Sequence, residues 1–163
     1  MVNVSNMNVR RIMVPIDYSE HSKRALEYAA TLAARFGAMV DVVHVWDRPT
    51  YVPEGLTVGP KGSAKSLADL IRENAEREMQ EFLGQVKAPE GVQIESRLIS
   101  GDPASAIVHI CIATKPDLVV VGTHGRTGVQ HLLMGSVAEK VVRLSPVPVL
   151  SVPPADRQTA SRP

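Results

Sequence analysis

The segment Asp117-Leu-Val-Val-Val121 restricts the fold more than any other stretch of this chain. A strand with apolar side chains on both faces has no side to give to water, so it belongs in a parallel sheet covered above and below. Ile12-Met-Val-Pro-Ile16 has the same character and stops at Asp17, and Met39 to Trp46 is a further strand, rich in valine. Val92 to Ile99 alternates only in part, as suits a strand near the sheet edge, and Val147 to Val152 supplies the last one.

Between these runs the apolar period lengthens to that of a helix. Ala25, Leu26, Ala29, Leu32, Ala33 and Phe36 recur at helical spacing, with Ser19 as cap, Glu20 at the positive end and Gly37 as the stop. Leu67, Leu70, Ile71, Ala75, Met79, Phe82 and Val86 mark a second helix, closed by Pro89 and Gly91; its charges from Arg72 to Glu81 read as a solvated face. Asp102 followed by Pro103 opens a third, continued by Ile107, Val108, Ile110 and Cys111. A fourth runs from Ser136 to about Leu144, and Ser136 with Glu139 has the spacing of a capping box. Asp47 to Ser63, with its prolines and glycines, reads as one long loop.

Strands alternating with helices in this order, joined by right-handed crossovers, predict an α/β fold. It is a doubly wound, five-stranded parallel sheet of order 3-2-1-4-5 with helices on both faces, Rossmann-like. Ligands of such sheets sit beyond the carboxyl ends of the strands, where the strand order reverses. That crevice falls between strands one and four, which end at Asp17 and Gly122. A chain of 163 residues suits one domain, expected over 10–152, with an arm at 1–9 and a disordered tail at 153–163. Only 4% of residues are aromatic, so the core must be built largely from Val, Ile, Leu and Ala. A net charge of +1 gives no electrostatic reason to expect nucleic acid or an anionic membrane as partner. No apolar run approaches the roughly 18 residues needed to span a bilayer, the first residues lack a signal-peptide core, and the lone Cys111 precludes an internal disulfide. A cytoplasmic location fits these features.

The chemistry concentrates in Gly122-Thr-His-Gly125-Arg-Thr-Gly-Val-Gln-His-Leu-Leu-Met-Gly135-Ser136, which joins a buried strand to a helix. Glycines let the backbone approach a ligand, and successive N–H groups at a helix start favour phosphate. The Ser136 hydroxyl can donate to a phosphate oxygen, and Arg126 can add a charge-assisted contact. On this reading Gly122→Val or Gly135→Val abolishes binding while the fold survives. The spacing is neither G-x-G-x-x-G after a first strand nor G-x-x-x-x-G-K-[ST], so neither common phosphate loop applies.

Gly122, Gly125, Gly135 and Ser136 follow the spacing Gly, two residues, Gly, nine residues, Gly, Ser. With Val14-Pro15-Ile16-Asp17, His44-Val45 and Pro146-Val-Pro-Val149, this resembles the universal stress protein family, in its ATP-binding branch, over Arg10 to Val152. The resemblance implies an adenine nucleotide alpha hydrolase-like fold that binds ATP, or ADP or AMP, with Mg2+ bridging the phosphates. Pro15, Asp17 and Val45 would then flank base and ribose, and Val121, Gly122 and Gly125 would line the loop side. Arg126, Gly135, Ser136 and Val137 would surround the phosphates. It also implies a homodimer through the last strand, with the protein partner unspecified.

Plainer readings stand beside these. Asp17 can serve only the Ser19 cap, His44 is a hydrogen-bonded core histidine, and Cys111 is packing. His124 and His131 have the wrong spacing for a helical metal pair, so no metal site is expected. No dedicated base is evident beyond Asp17 and His124, which ranks a nucleotide-dependent sensor or regulator above a slow ATPase, and both above a nucleotide-free interaction module. In the last strand, Pro146 and Pro148 share one parity; placed on the outer side, they leave Leu150 and Val152 as outward pairing positions.

Overall fold

The computed structural model describes residues 8–46, 56–60, 64–124 and 134–155. Its elements are β1 (Arg11–Ile16), α1 (Glu20–Phe36), β2 (Met39–Trp46), β3 (Thr57–Val58), β4 (Lys65–Ser66), α2 (Leu67–Gly84), β5 (Ile94–Ser100), α3 (Pro103–Thr114), β6 (Leu118–Gly122), α4 (Ser136–Leu144) and β7 (Val149–Val152). The main sheet is parallel, in the order β5-β2-β1-β6-β7. Counting its own strands in chain order, that is the expected 3-2-1-4-5. Of the expected arm (1–9) and tail (153–163), residues 1–7 and 156–163 lie outside the described residues.

Both faces of the sheet are covered, and apart from the buried Asp41 of β2, which pairs with Arg97, its inner strands β1, β2 and β6 are mainly apolar in both directions. On one side Ile12, Val14, Val40, Val42 and Val120 meet Ala25, Leu26 and Ala29 of α1 and Met79 and Phe82 of α2. On the other, Met13, Val43 and Val119 meet Ile107, Ile110 and Cys111 of α3 and Val141 of α4. Phe82 is the one aromatic ring among the described buried hydrophobic residues, as the aliphatic composition requires. Val9, ahead of β1, is also buried. Burial raises the Cys111 thiol above its ordinary pKa, partly offset by a hydrogen bond with Ser145, which agrees with a packing role.

Local signals explain the helix ends. Ser19 accepts the Ser22 N–H, and Gly37 closes α1 at φ 67°, a left-handed conformation that suits a residue without Cβ. Asp102 accepts the Ser105 N–H ahead of Pro103, and the Ser105 hydroxyl and N–H together hold its carboxyl below the usual value. On α2, exposed pairs Arg72–Glu76 (3.6 Å) and Arg77–Glu81 (3.9 Å) form a solvated face.

Three expectations change. The stretch read as loop contains half of a hairpin: Thr57–Val58 pairs antiparallel with Lys65–Ser66, and the Leu67 N–H donates to the Leu56 carbonyl (2.8 Å). Next, α4 is capped by Gly135, with no side-chain cap hydrogen bond, so Ser136 is the first helical residue and no capping box forms.

The third concerns β7. Val119 N–H donates to the Pro148 carbonyl (2.9 Å) and Thr123 N–H to that of Val152 (3.1 Å). Both backbone groups of a strand residue point to the same side, alternating along the chain. Pro148, Leu150 and Val152 therefore face β6, and Pro146 shares their parity. The prolines remove donors from the inner side, and Val149 and Ser151 face the open edge. Val147 also faces outward, but its N–H and carbonyl bond the Ser145 hydroxyl (3.2 and 2.9 Å), which is why regular strand begins only at Val149.

Candidate functional site

The sheet opens where β1 and β6 part. Their described register holds only Ile12 with Leu118 and Met13 with Val119. Asp117 N–H donates to the Arg11 carbonyl (3.0 Å), so Arg11, Met13 and Pro15 are the residues of β1 that face β6. Pro15 has no N–H to continue that ladder. Beyond it lies a cleft of about 300 Å³, at the crevice expected from the strand order.

One wall is apolar. It joins Pro15, Val45 and Val121 from the strand ends to Pro103 and Ile107 from the start of α3. The other is polar and built on helix N-termini: Ser22 of α1, and Gly135, Ser136 and Val137 at the start of α4. A flat apolar group and an anion can thus be held side by side, since the first N–H groups of a helix lack intrahelical partners. Among the described residues no side chain caps the start of α4.

Of the residues singled out in the sequence, Pro15, Asp17, Val45, Val121, Gly122, Gly135, Ser136 and Val137 all line this cleft. Gly125 and Arg126 lie outside the described residues. The stem of their loop is tied, because Gly135 N–H donates to the Thr123 carbonyl at 2.7 Å. Ser22, Pro103, Ile107 and Ala138 line the cleft without having been singled out. Their only signal was position, since each lies in the first turns of a helix that starts at the carboxyl end of the sheet.

Asp17 both lines the cleft and orders the turn into α1. Its Oδ1 accepts the Ser19 N–H (3.1 Å) and hydroxyl (2.5 Å), while its own N–H donates to Ser22 Oγ (3.4 Å). Between them Tyr18 takes φ 63° and stacks on His44, ring centres 4.1 Å apart. His44 Nδ1 bonds the Ile16 carbonyl at 2.9 Å, the core role expected of it.

Gly122 is required for a reason other than the one its motif suggests. A Cβ there would lie 2.9 Å from the His21 carbonyl oxygen and 3.0 Å from its carbon. The backbone of α1 stands where that Cβ would go, so a side chain at Gly122 strikes the scaffold whether or not a ligand is bound. This close approach brings His21 over the end of β6, its ring centre 5.5 Å from that of His124. Among the described residues, no group of three or more His, Cys, Asp and Glu is placed to hold a metal ion. No helix among them is long and apolar enough to cross a membrane.

The model of the universal stress protein family matches residues 8–153. Universal stress protein MJ0531 of Methanocaldococcus jannaschii is 38% identical over 146 residues, covering 88% of this chain and 81% of that protein. Among solved structures, the hypothetical protein MJ0577 superposes with a TM-score of 0.70 at 26% identity, covering 90% of this chain and 97% of that one. A universal stress protein in complex with cAMP gives 0.60 at 26% identity, covering 89% and 97%.

Proposed function

We propose that this chain, which belongs to the universal stress protein family, binds an adenine nucleotide in the cleft between β1 and β6 and acts as a nucleotide-dependent regulator of a stress response in the cytoplasm. The observation that carries this is the convergence of eight motif residues, distant in sequence, on one cleft with an apolar wall and an uncapped helix start. The cAMP complex of a related protein supports it.

The ligand is ATP, or ADP or AMP. Adenine lies against Val45 and Ile107, ribose by Asp17, and phosphates at Gly135, Ser136 and the loop carrying Gly125 and Arg126. Mg2+ accompanies the phosphates, held chiefly by their oxygens, because Asp17 is the one carboxylate among the described lining residues. Mass spectrometry of the ligand released from denatured, purified protein, with calorimetric titration of ATP and Mg2+, tests the reading. No carried nucleotide and no heat at millimolar ATP would overturn it. Hydrolysis is slower than about 1 per second, the lower range of true kinases, because the sequence offers no dedicated group to orient water beyond Asp17 and His124; faster steady phosphate release would show an ATPase.

The protein pairs with a second copy through the open edge of β7, where Val149 and Ser151 point their backbone groups outward. Sedimentation at micromolar concentration is expected to give twice the chain mass. Ser151→Pro, which removes an outward donor, is expected to lower it; a dimer indifferent to that change would rule out strand pairing.

A further inference from the structure

We infer that a second copy of this chain docks through α4 as well as β7, with Val142 of each copy set against the other's α4. The inference rests on the β7 pairing proposed above. Two identical strands that pair edge to edge run antiparallel about a two-fold axis normal to the sheet, because a parallel ladder is not symmetric between its strands. Each face of the joined sheet then carries the same helices from both copies, and strand spacing decides which of them meet. Val141 packs in the cluster that holds Val119 of β6 and Val149 of β7, so α4 lies over these two strands. Neighbouring strands are about 4.8 Å apart. The two copies of α4 are therefore two spacings apart, about 10 Å, which is the distance of packed helices. On the opposite face α1 packs on β1 and β6. Its two copies are four spacings apart, about 19 Å, too far to touch.

The flank that α4 turns to the second copy is apolar. Val142 lies one residue, about 100° round the helix, beyond the sheet-facing Val141. In a right-handed strand–helix–strand unit that step turns a side chain towards the strand that follows. The same sense holds in α1, where Glu27, one beyond the buried Leu26, turns to the β2 side and accepts the Lys87 N–H past the end of α2 (3.1 Å). Val142 thus faces the open edge of β7, and it is 45% exposed. A small apolar side chain suits two helices this close. Glu139 and Arg143 are exposed one turn apart on α4, and antiparallel copies turn the acid of one towards the base of the other. The helix whose start lines the cleft is thus the helix that meets the second copy. Antiparallel pairing also turns the two clefts to opposite ends of the joined sheet.

The test is sedimentation equilibrium of the full chain, with Ser151→Pro as the variant that reports on strand pairing. Val142→Asp is expected to raise the dimer dissociation constant tenfold or more, because it presses a charge into the contact. Its far-ultraviolet dichroism should match that of the unaltered chain, since the side chain is exposed in a single copy. Tyr28→Asp, at an exposed residue of α1, is expected to leave the constant unchanged. Val142→Cys is expected to give covalent dimers with a short bis-maleimide, where the unaltered chain, whose one cysteine is buried, gives none. A dimer that Ser151→Pro weakens and Val142→Asp does not overturns the helix contact alone. So does one that Tyr28→Asp weakens as much as Val142→Asp. A monomer, or a dimer indifferent to Ser151→Pro, overturns the strand pairing and the helix contact with it.

Discussion

Strands β1 and β6 are knitted at one end and parted at the other. At the amino end, Asp117 Oδ2 accepts the N–H groups of Arg10 (2.8 Å) and Arg11 (2.9 Å), while its own N–H bonds Arg11. At the carboxyl end, Pro15 offers no donor, and the starts of α1, α3 and α4 converge on the gap. The same two strands are thus tied below and line a cleft above, divided by two residues of ladder. The division is chemical: a carboxylate that bonds two backbone donors closes one end, and an imino acid that lacks one opens the other.

Gly122→Val attacks the open end where scaffold and site share an atom's width. A Cβ 2.9 Å from the His21 carbonyl must displace α1, so the expected loss is about 3 kcal/mol, on the order of 10 °C in thermal midpoint. An unchanged midpoint with lost nucleotide binding would restore the phosphate explanation for this glycine.

Asp117→Ala attacks the closed end. Two charge-assisted bonds vanish, and because the group is exposed the expected cost is about 1–2 kcal/mol by urea unfolding. Nucleotide affinity should stay as it was. A drop in affinity would show that the two ends are coupled through β1.

Ser136→Ala sharpens the contrast with the smallest effect. The serine makes no cap, so unfolding of the ligand-free protein should not move, while calorimetric affinity falls by about 0.5–1.5 kcal/mol. Loss of stability instead would mean that the serine supports α4.

The alternation of strands and helices was legible because apolar periods of two kinds, Gly37, Asp102 and Pro103 all act locally. The cleft was legible because strand order converts those periods into one crevice. The β3–β4 hairpin escaped because strands of two residues carry no period. The cap of α4 was misassigned by one position, since glycine and serine both suit it and the choice rests on where Thr123 anchors Gly135. The side taken by Pro148 depends on pairing with β6, which parity alone cannot supply.

The bond from Gly135 to Thr123 has a consequence for how such a protein can change. Both ends of the segment between them are held by the scaffold, Thr123 through Val152 and Gly135 through Thr123. Insertion there lengthens a loop already closed, and even doubling its length adds only about 0.6 kcal/mol of closure entropy. The anchors therefore hold whatever the chain carries between them. Descendants of one sheet can rewrite that stretch with strand register and helix placement inherited intact.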